Sequence, residues 1–215
     1  MEITRKKNPG DLSYRTFFDI QSFVQARLPP EPRVIDLTLR VFFTDVAGAA
    51  RDAYSPDTWA VAIVGETVDQ TVPVSRGGYF LLPDLKQAAE ERATIMFNTL
   101  TRSRTVDTAW KLRTGAGQTL AYADFAKALD EVRFVQQQLP WYRLGLRQMR
   151  LVGHDGLRAC FHDGAGRIEI DGQAAATIVE GGCQLLKFDP ARARDGRSVI
   201  SFVGPLHIVT LHEAG

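Results

Sequence analysis

Several features that mark particular classes of protein are missing from this sequence. The 215-residue chain has no apolar run approaching about 18 residues, so we predict no membrane span. Its 26 lysines and arginines nearly balance 25 aspartates and glutamates, and the net charge of +1 argues against a nucleic-acid partner. Eighteen glycines and ten prolines without a period exclude collagen and low-complexity chains. With 45% hydrophobic and 24% charged residues, the composition is that of a soluble globular protein.

The first ten residues lack the apolar part of a secretion signal. Arg5, Lys6 and Lys7 resemble the charged start of a signal peptide, but no apolar stretch of about 7–15 residues follows them. Two interpretations therefore stay open. The protein is either periplasmic or secreted with its signal removed, or it is cytoplasmic.

The standard catalytic and cofactor-binding motifs are also missing. The sequence contains no glycine-rich phosphate loop, dinucleotide fingerprint, His-Glu-x-x-His, Gly-x-Ser-x-Gly or EF-hand loop. We therefore assign no catalytic residue, no metal ligand and no cofactor from the sequence.

The two cysteines, Cys160 and Cys183, lie 23 positions apart in a β-rich stretch. They are either two unrelated buried thiols or a disulfide, and a disulfide would place the protein in an oxidising compartment. A two-cysteine redox site is disfavoured because there is no Cys-x-x-Cys.

Apolar periodicity predicts two amphipathic helices. The first covers 12–28, with Ser13 as N-cap and Pro29 as its stop, and the second covers 121–139. Strict alternation of apolar and polar residues predicts a half-buried strand over 34–43. Further strands are predicted at 59–64, 68–74, 79–82, 93–98 and 105–113, with a hairpin at Gly77-Gly78 and a pairing of the last two strands.

The last third of the chain carries a regular series of turn signals. Asp-Gly occurs at 155–156, 163–164 and 171–172, and Asp-Gly between apolar alternations is typical of hairpins. This spacing predicts an antiparallel meander of strands over 157–162, 165–170 and 173–179. Additional strands are predicted at 183–188, 198–203 and 206–212.

These elements indicate a mainly β (α+β) fold, either an antiparallel β-sandwich or two small β units, with an N-terminal and a mid-chain helix. The predicted segments are an N-terminal tail and helix at 1–33, a β unit at 34–114, a helix and connection at 115–150, and an antiparallel meander unit at 151–215. The sequence leaves open whether the two β units share one core.

The polar residues best suited by type to bind a metal ion or to catalyse a reaction are His154, Asp155, His162 and Asp163. Imidazole and carboxylate groups are zinc ligands, but a strand of six residues would hold the two His-Asp pairs about 20 Å apart. We therefore interpret these residues as turn residues that hydrogen-bond locally. His207 and His212 are five apart, so a regular strand would place them on opposite faces.

Trp141 and Tyr142 follow the second helix and form a candidate partner surface, because aromatic side chains are enriched at interfaces. The alternative is that they pack the helix end against the sheet. Arginines at 143, 147 and 150 follow this pair and are interpreted as a solvated face.

Three functional hypotheses follow. The first is a non-enzymatic exported domain that binds an unknown protein or small ligand, or that assists envelope assembly. The second is a hydrolase that uses histidine and carboxylate, and the third is a self-associating, homo-oligomeric structural subunit whose sheet edges pair. We favour the first because hairpin-rich β structure and the cysteine pair accompany the absence of catalytic motifs.

Overall fold

A computed structural model of the protein describes residues 11–43, 60–97, 104–142 and 144–214. It is mostly β, with 41% of residues in strands and 28% in helices, and its sheets are antiparallel in a sandwich-like arrangement. The predicted mainly β fold class is therefore confirmed. The predicted strand residue Trp59 lies outside the described residues.

Five helices and fifteen strands make up the described chain. The helices are α1 (Tyr14–Gln25), α2 (Lys86–Glu90), α3 (Tyr122–Gln137), α4 (Leu144–Leu151) and α5 (Pro190–Asp195). The strands are β1 (Leu12–Ser13), β2 (Ile35–Phe43), β3 (Ala60–Val64), β4 (Asp69–Pro73), β5 (Tyr79–Phe80), β6 (Thr94–Phe97), β7 (Arg104–Leu112), β8 (Thr119–Ala121), β9 (His154–Phe161), β10 (Arg167–Ile170), β11 (Gln173–Ala174), β12 (Ile178–Glu180), β13 (Cys183–Lys187), β14 (Val199–Val203) and β15 (Leu206–Glu213).

The strands form three sheets. A seven-stranded sheet has the order β12-β13-β9-β15-β7-β2-β5, and two four-stranded sheets have the orders β1-β6-β3-β4 and β11-β10-β14-β8. The seven-stranded sheet takes strands from both the 34–114 and the 151–215 segments.

The first helix begins after its predicted cap, Ser13, but ends at Gln25, three residues before the predicted end at 28. The Ser13 side chain accepts a hydrogen bond from the Thr16 backbone N–H, which satisfies one of the unpaired donors at the start of α1. The buried Gln21 amide both donates to and accepts from the backbone of Leu82, at 2.8 and 3.0 Å, and so ties α1 to the chain after β5.

Strand β2 contributes to two hydrophobic clusters along one face. Ile35 and Leu37 belong to the larger cluster, which joins α3 to the seven-stranded sheet and to the β11-β10-β14-β8 sheet. Leu39 and Val41 belong to the second cluster, which joins α1 to the β1-β6-β3-β4 sheet. Because side chains alternate along a strand, the residues between them face the other side of the sheet. We call that side the open face.

The predicted turns are only partly correct. Asp171 and Gly172 have φ angles of 53° and 77° and connect the paired strands β10 and β11, as a tight Asp-Gly hairpin requires. Asp155 and Gly156, in contrast, lie inside β9. A Cβ at Gly156 would sit 2.6 Å from the Leu186 carbonyl oxygen, so this glycine allows β13 to approach closely.

Three predicted strand pairings are wrong. Strand β9 pairs with β13 and β15, whereas β10 pairs with β11 and β14, so the predicted meander breaks between its first two strands. Gly77 and Gly78 have positive φ angles but do not close a hairpin, because β4 and β5 lie in different sheets. Strands β6 and β7 also lie in different sheets. A glycine turn changes the local direction of the chain, but it does not determine which sheet the next strand joins.

Cys160 on β9 and Cys183 on β13 lie directly opposite each other and form a disulfide. Both are buried on the open face in a small cluster with Tyr79 and Ile208. The disulfide is compatible with a location outside the cytoplasm. Among the described residues, no helix has both the length and the apolar character needed to cross a bilayer.

Candidate functional site

A groove of about 270 Å³ on the open face brings together charged side chains from four adjacent strands. We call it the open-face groove. Strands β2, β7, β15 and β9 form its floor, and Tyr79 of β5 lies at one side. The charged or titratable lining residues are Arg40, Tyr79, Asp107, His154, Arg158, His212 and Glu213.

Arg40 is held in place by the loop that leads into β5. Its Nε donates a hydrogen bond of 2.9 Å to the carbonyl oxygen of Gly77, whose φ of 76° turns the loop toward the sheet. The Arg40 guanidinium also lies 5.0 Å from the centre of the Tyr79 ring, within the range of a cation–π contact. Burial raises the pKa of the Tyr79 hydroxyl, which hydrogen-bonds Thr210.

Arg158 supplies a second guanidinium to the same groove. Burial lowers its pKa to about 10, and Arg40 adds electrostatic repulsion that Glu180 partly offsets. Arg158 therefore stays cationic at neutral pH. Asp107 lies opposite Arg40 in the β2–β7 pairing. An anionic group near both guanidiniums would lower their mutual repulsion further.

The end of the groove formed by the start of β9 and the end of β15 holds a carboxylate and a neutral histidine. Burial raises the pKa of Glu213, and the neighbouring Asp107 raises it further. His154 lies opposite Glu213 in the β9–β15 pairing. Burial lowers the pKa of His154 to about 4, and His212 contributes to the shift, so His154 is uncharged at neutral pH.

Asp155 lies beside this end and organises a second small network. Its carboxylate contacts His212 Nδ1 at 3.1 Å and also pairs with the Lys187 ammonium. The Lys187 hydrogen bond lowers the pKa of Asp155 below its usual range. Asp155 is therefore paired with His212, although it follows His154 directly in the sequence.

The structure separates the two His-Asp pairs of the sequence. His154 is the first residue of β9, and His162 follows its last residue. The His162 ring lies 5.0 Å from the His207 ring, and His207 Nε2 lies 2.8 Å from the carbonyl oxygen of Arg76. The side chain of Asp163 lies outside the described part of the structure. Within that part, no group of three or more metal-ligating side chains occurs.

A larger cavity of about 640 Å³ lies beside β2, where β5 departs from it, and Tyr79 lines both spaces. Two of its charged lining residues, Arg33 and Asp36, pair with each other. Asp36 accepts from Arg33 at 3.1 Å and from both Nε and Nη2 of Arg113 at 2.8 Å. We regard the open-face groove as the stronger candidate for ligand binding because it gathers charged side chains from four adjacent strands.

Sequence reasoning missed Arg40, Asp107, Arg158 and Glu213. The alternation over 34–43 puts Arg40 on a solvated strand face, and it points to no role for the other three, whereas the structure places all four at the same groove. Arg158 carried a usable signal, because a charged residue between Leu157 and Ala159 is unusual in an otherwise apolar strand. Comparison with protein-family models, with curated proteins and with solved structures finds no match for this chain.

Proposed function

We propose that this protein is a non-enzymatic binding domain that acts in an oxidising compartment outside the cytoplasm and holds a small anionic ligand in the open-face groove. The observation that carries the proposal is the shared placement of Arg40 and Arg158 in that groove. A carboxylate or phosphate between them would relieve their repulsion and accept paired hydrogen bonds from guanidinium groups.

The groove also limits the type of ligand. Its volume of about 270 Å³ fits a small metabolite or the end group of a larger partner. Asp107, which lies opposite Arg40 in the β2–β7 pairing, and Glu213 favour a hydroxyl or ammonium donor on the ligand. The neutral His154 adds a hydrogen-bonding group without adding charge.

The compartment is supported by the disulfide, which persists in secreted and periplasmic proteins and is rare in the cytosol. We would alkylate the denatured protein from its native host with and without prior reduction and measure its intact mass. Protection of both cysteines until reduction would support export. Two thiols that alkylate without reduction would remove the extracytoplasmic part of the proposal.

Ligand binding is tested by NMR titration of the oxidised protein with inorganic phosphate, citrate and glutamate, and with glycine betaine as a comparison without net charge. We expect at least one anion to shift groove resonances, and Arg158→Gln to weaken that binding by about tenfold or more. Arg167→Gln is the matched control, because Arg167 is an exposed strand arginine paired with Glu169. Equal weakening by both variants, or no groove shifts with any anion, would contradict the proposal.

A second candidate is a hydrolase that activates water. It is favoured by the neutral His154 next to Glu213, a pairing suited to proton transfer. The described residues that line the groove include no serine and no thiol, and in this candidate water acts as the nucleophile. Turnover of p-nitrophenyl acetate or phosphate by the wild type, lost in His154→Gln, would favour this candidate. Absence of turnover would remove it for these two ester classes.

A further inference from the structure

The junction between α3 and α4 exposes aromatic side chains to an unusual degree. Trp141 and Tyr142 are both 70% exposed, and their rings pack edge to face with centres 6.2 Å apart. Four of the eight exposed large hydrophobic side chains in the described residues fall between positions 134 and 151, namely Phe134, Trp141, Tyr142 and Leu151. We call Trp141, Tyr142 and α4 the basic aromatic corner.

The sequence around this corner is rich in arginine. Between Glu131 and Asp155 it contains arginines at 133, 143, 147 and 150 and no aspartate or glutamate, in a chain whose net charge is only +1. Arg133 pairs with Asp130, so the excess positive charge of this stretch comes from the other three. Arg147 and Arg150 are exposed on α4, whereas Leu146 and Met149 of the same helix are buried in the main core. The helix therefore packs its apolar side against the protein and presents Arg147 to solvent.

The corner is firmly attached to the fold. The Gln136 side-chain amide donates to the backbone carbonyls of Met149 and Val152 at 2.7 and 2.8 Å. Arg150 donates to the carbonyl of Leu139 at 2.7 Å, at the end of α3. These contacts join α3 to α4 on either side of the exposed aromatic pair.

We propose that the basic aromatic corner docks on an anionic phospholipid bilayer, with Trp141 and Tyr142 in the interfacial region and Arg147 at the lipid phosphates. Tryptophan and tyrosine concentrate at bilayer interfaces because their rings combine an apolar body with a polar edge. Basic side chains near an anionic leaflet each strengthen association by roughly fivefold. This inference is independent of the open-face groove and rests only on the corner.

The test is co-sedimentation of the oxidised full chain with vesicles of phosphatidylcholine alone and of phosphatidylcholine with phosphatidylglycerol. We expect binding to the anionic vesicles to be at least about tenfold stronger and to fall as salt is raised. The double variant Trp141→Ala/Tyr142→Ala should lose most of this binding. Ile178→Ala/Val179→Ala is the matched control, because those residues form another exposed apolar pair at 52% and 70% exposure.

Charge is tested separately with Arg147→Gln against Arg194→Gln, an exposed arginine on α5. We expect the first to weaken vesicle binding by roughly fivefold and the second to leave it nearly unchanged. Circular dichroism of every variant checks that the fold is retained. Equal binding to both vesicle types, or equal loss in the Trp141/Tyr142 and Ile178/Val179 variants, would overturn the proposal. Binding to an acidic peptide or an oligonucleotide without vesicle binding would also overturn it, in favour of a macromolecular polyanion.

Discussion

Removal of the disulfide should destabilise the protein by a predictable amount. The bond joins neighbouring strands β9 and β13 across a sequence separation of 23. The chain-entropy model assigns about 3 kcal/mol to a closed loop of this length, because the cross-link restricts the unfolded chain. Replacement by alanine adds a smaller loss, since both sulfur atoms pack against Tyr79 and Ile208.

The measurement is urea unfolding of three forms: the oxidised protein, the reduced wild type and Cys160→Ala/Cys183→Ala. Reduction keeps both sulfur atoms, so the oxidised-minus-reduced difference isolates the cross-link, and the reduced-minus-alanine difference isolates packing. We expect about 3 kcal/mol for the first difference and a larger denaturant dependence in both uncrosslinked forms, whose unfolded chains expose more surface. If oxidised and reduced proteins unfolded at the same urea concentration, the loop-closure argument would be refuted for this chain.

Three further predictions concern single positions. Gly156→Ala should cost about 1–3 kcal/mol because its Cβ would press on the β13 backbone, whereas Gly153→Ala, with an ordinary 3.6 Å contact, should be nearly neutral in the same urea assay. Gln136→Ala should cost about 1–3 kcal/mol, since it leaves two carbonyls at the end of α4 without their donor; a change below about 0.5 kcal/mol would contradict this role. His154 has a folded pKa of about 4 against an ordinary value of 6.5, so the unfolded state gains the proton first and stability is lost as pH falls from 6.5 toward 4. His154→Gln should flatten that part of the stability profile, and an unchanged profile from thermal unfolding would count against it.

The sequence predicts individual elements well, because those elements depend on local patterns. The strand over 34–43 was predicted from alternation alone, and the structure places it at Ile35–Phe43. The Ser13 cap and the 121–139 helix also follow from short-range chemistry. The fourth helix, α4, was not predicted, since its pattern of arginines and leucines was interpreted as a solvated face.

Sheet membership was much harder to predict. The turn before Arg167 sends the chain from the seven-stranded sheet into another sheet, although its Asp-Gly pair resembles the hairpin at Asp171. Local turn chemistry is similar in the two cases, and the difference lies in which buried face the next strand covers. The candidate site depends on this topology, because Arg40 and Arg158 are 118 positions apart and meet only through the order of strands in the sheet.

The position of β15 has a consequence for the order in which the chain can fold during synthesis. This strand lies between β7 and β9, although it is the last of the seven to be made. Until it emerges, the earlier strands can form only two partial sheets, β5-β2-β7 and β12-β13-β9, each with an unsatisfied edge. Unpaired strand edges favour association with other chains, so we expect nascent or C-terminally shortened forms to aggregate more readily than the whole chain. Insertion of β15 between β7 and β9 joins the two partial sheets. It also brings Arg40 and Asp107 of the first partial sheet together with His154 and Arg158 of the second, which completes the open-face groove.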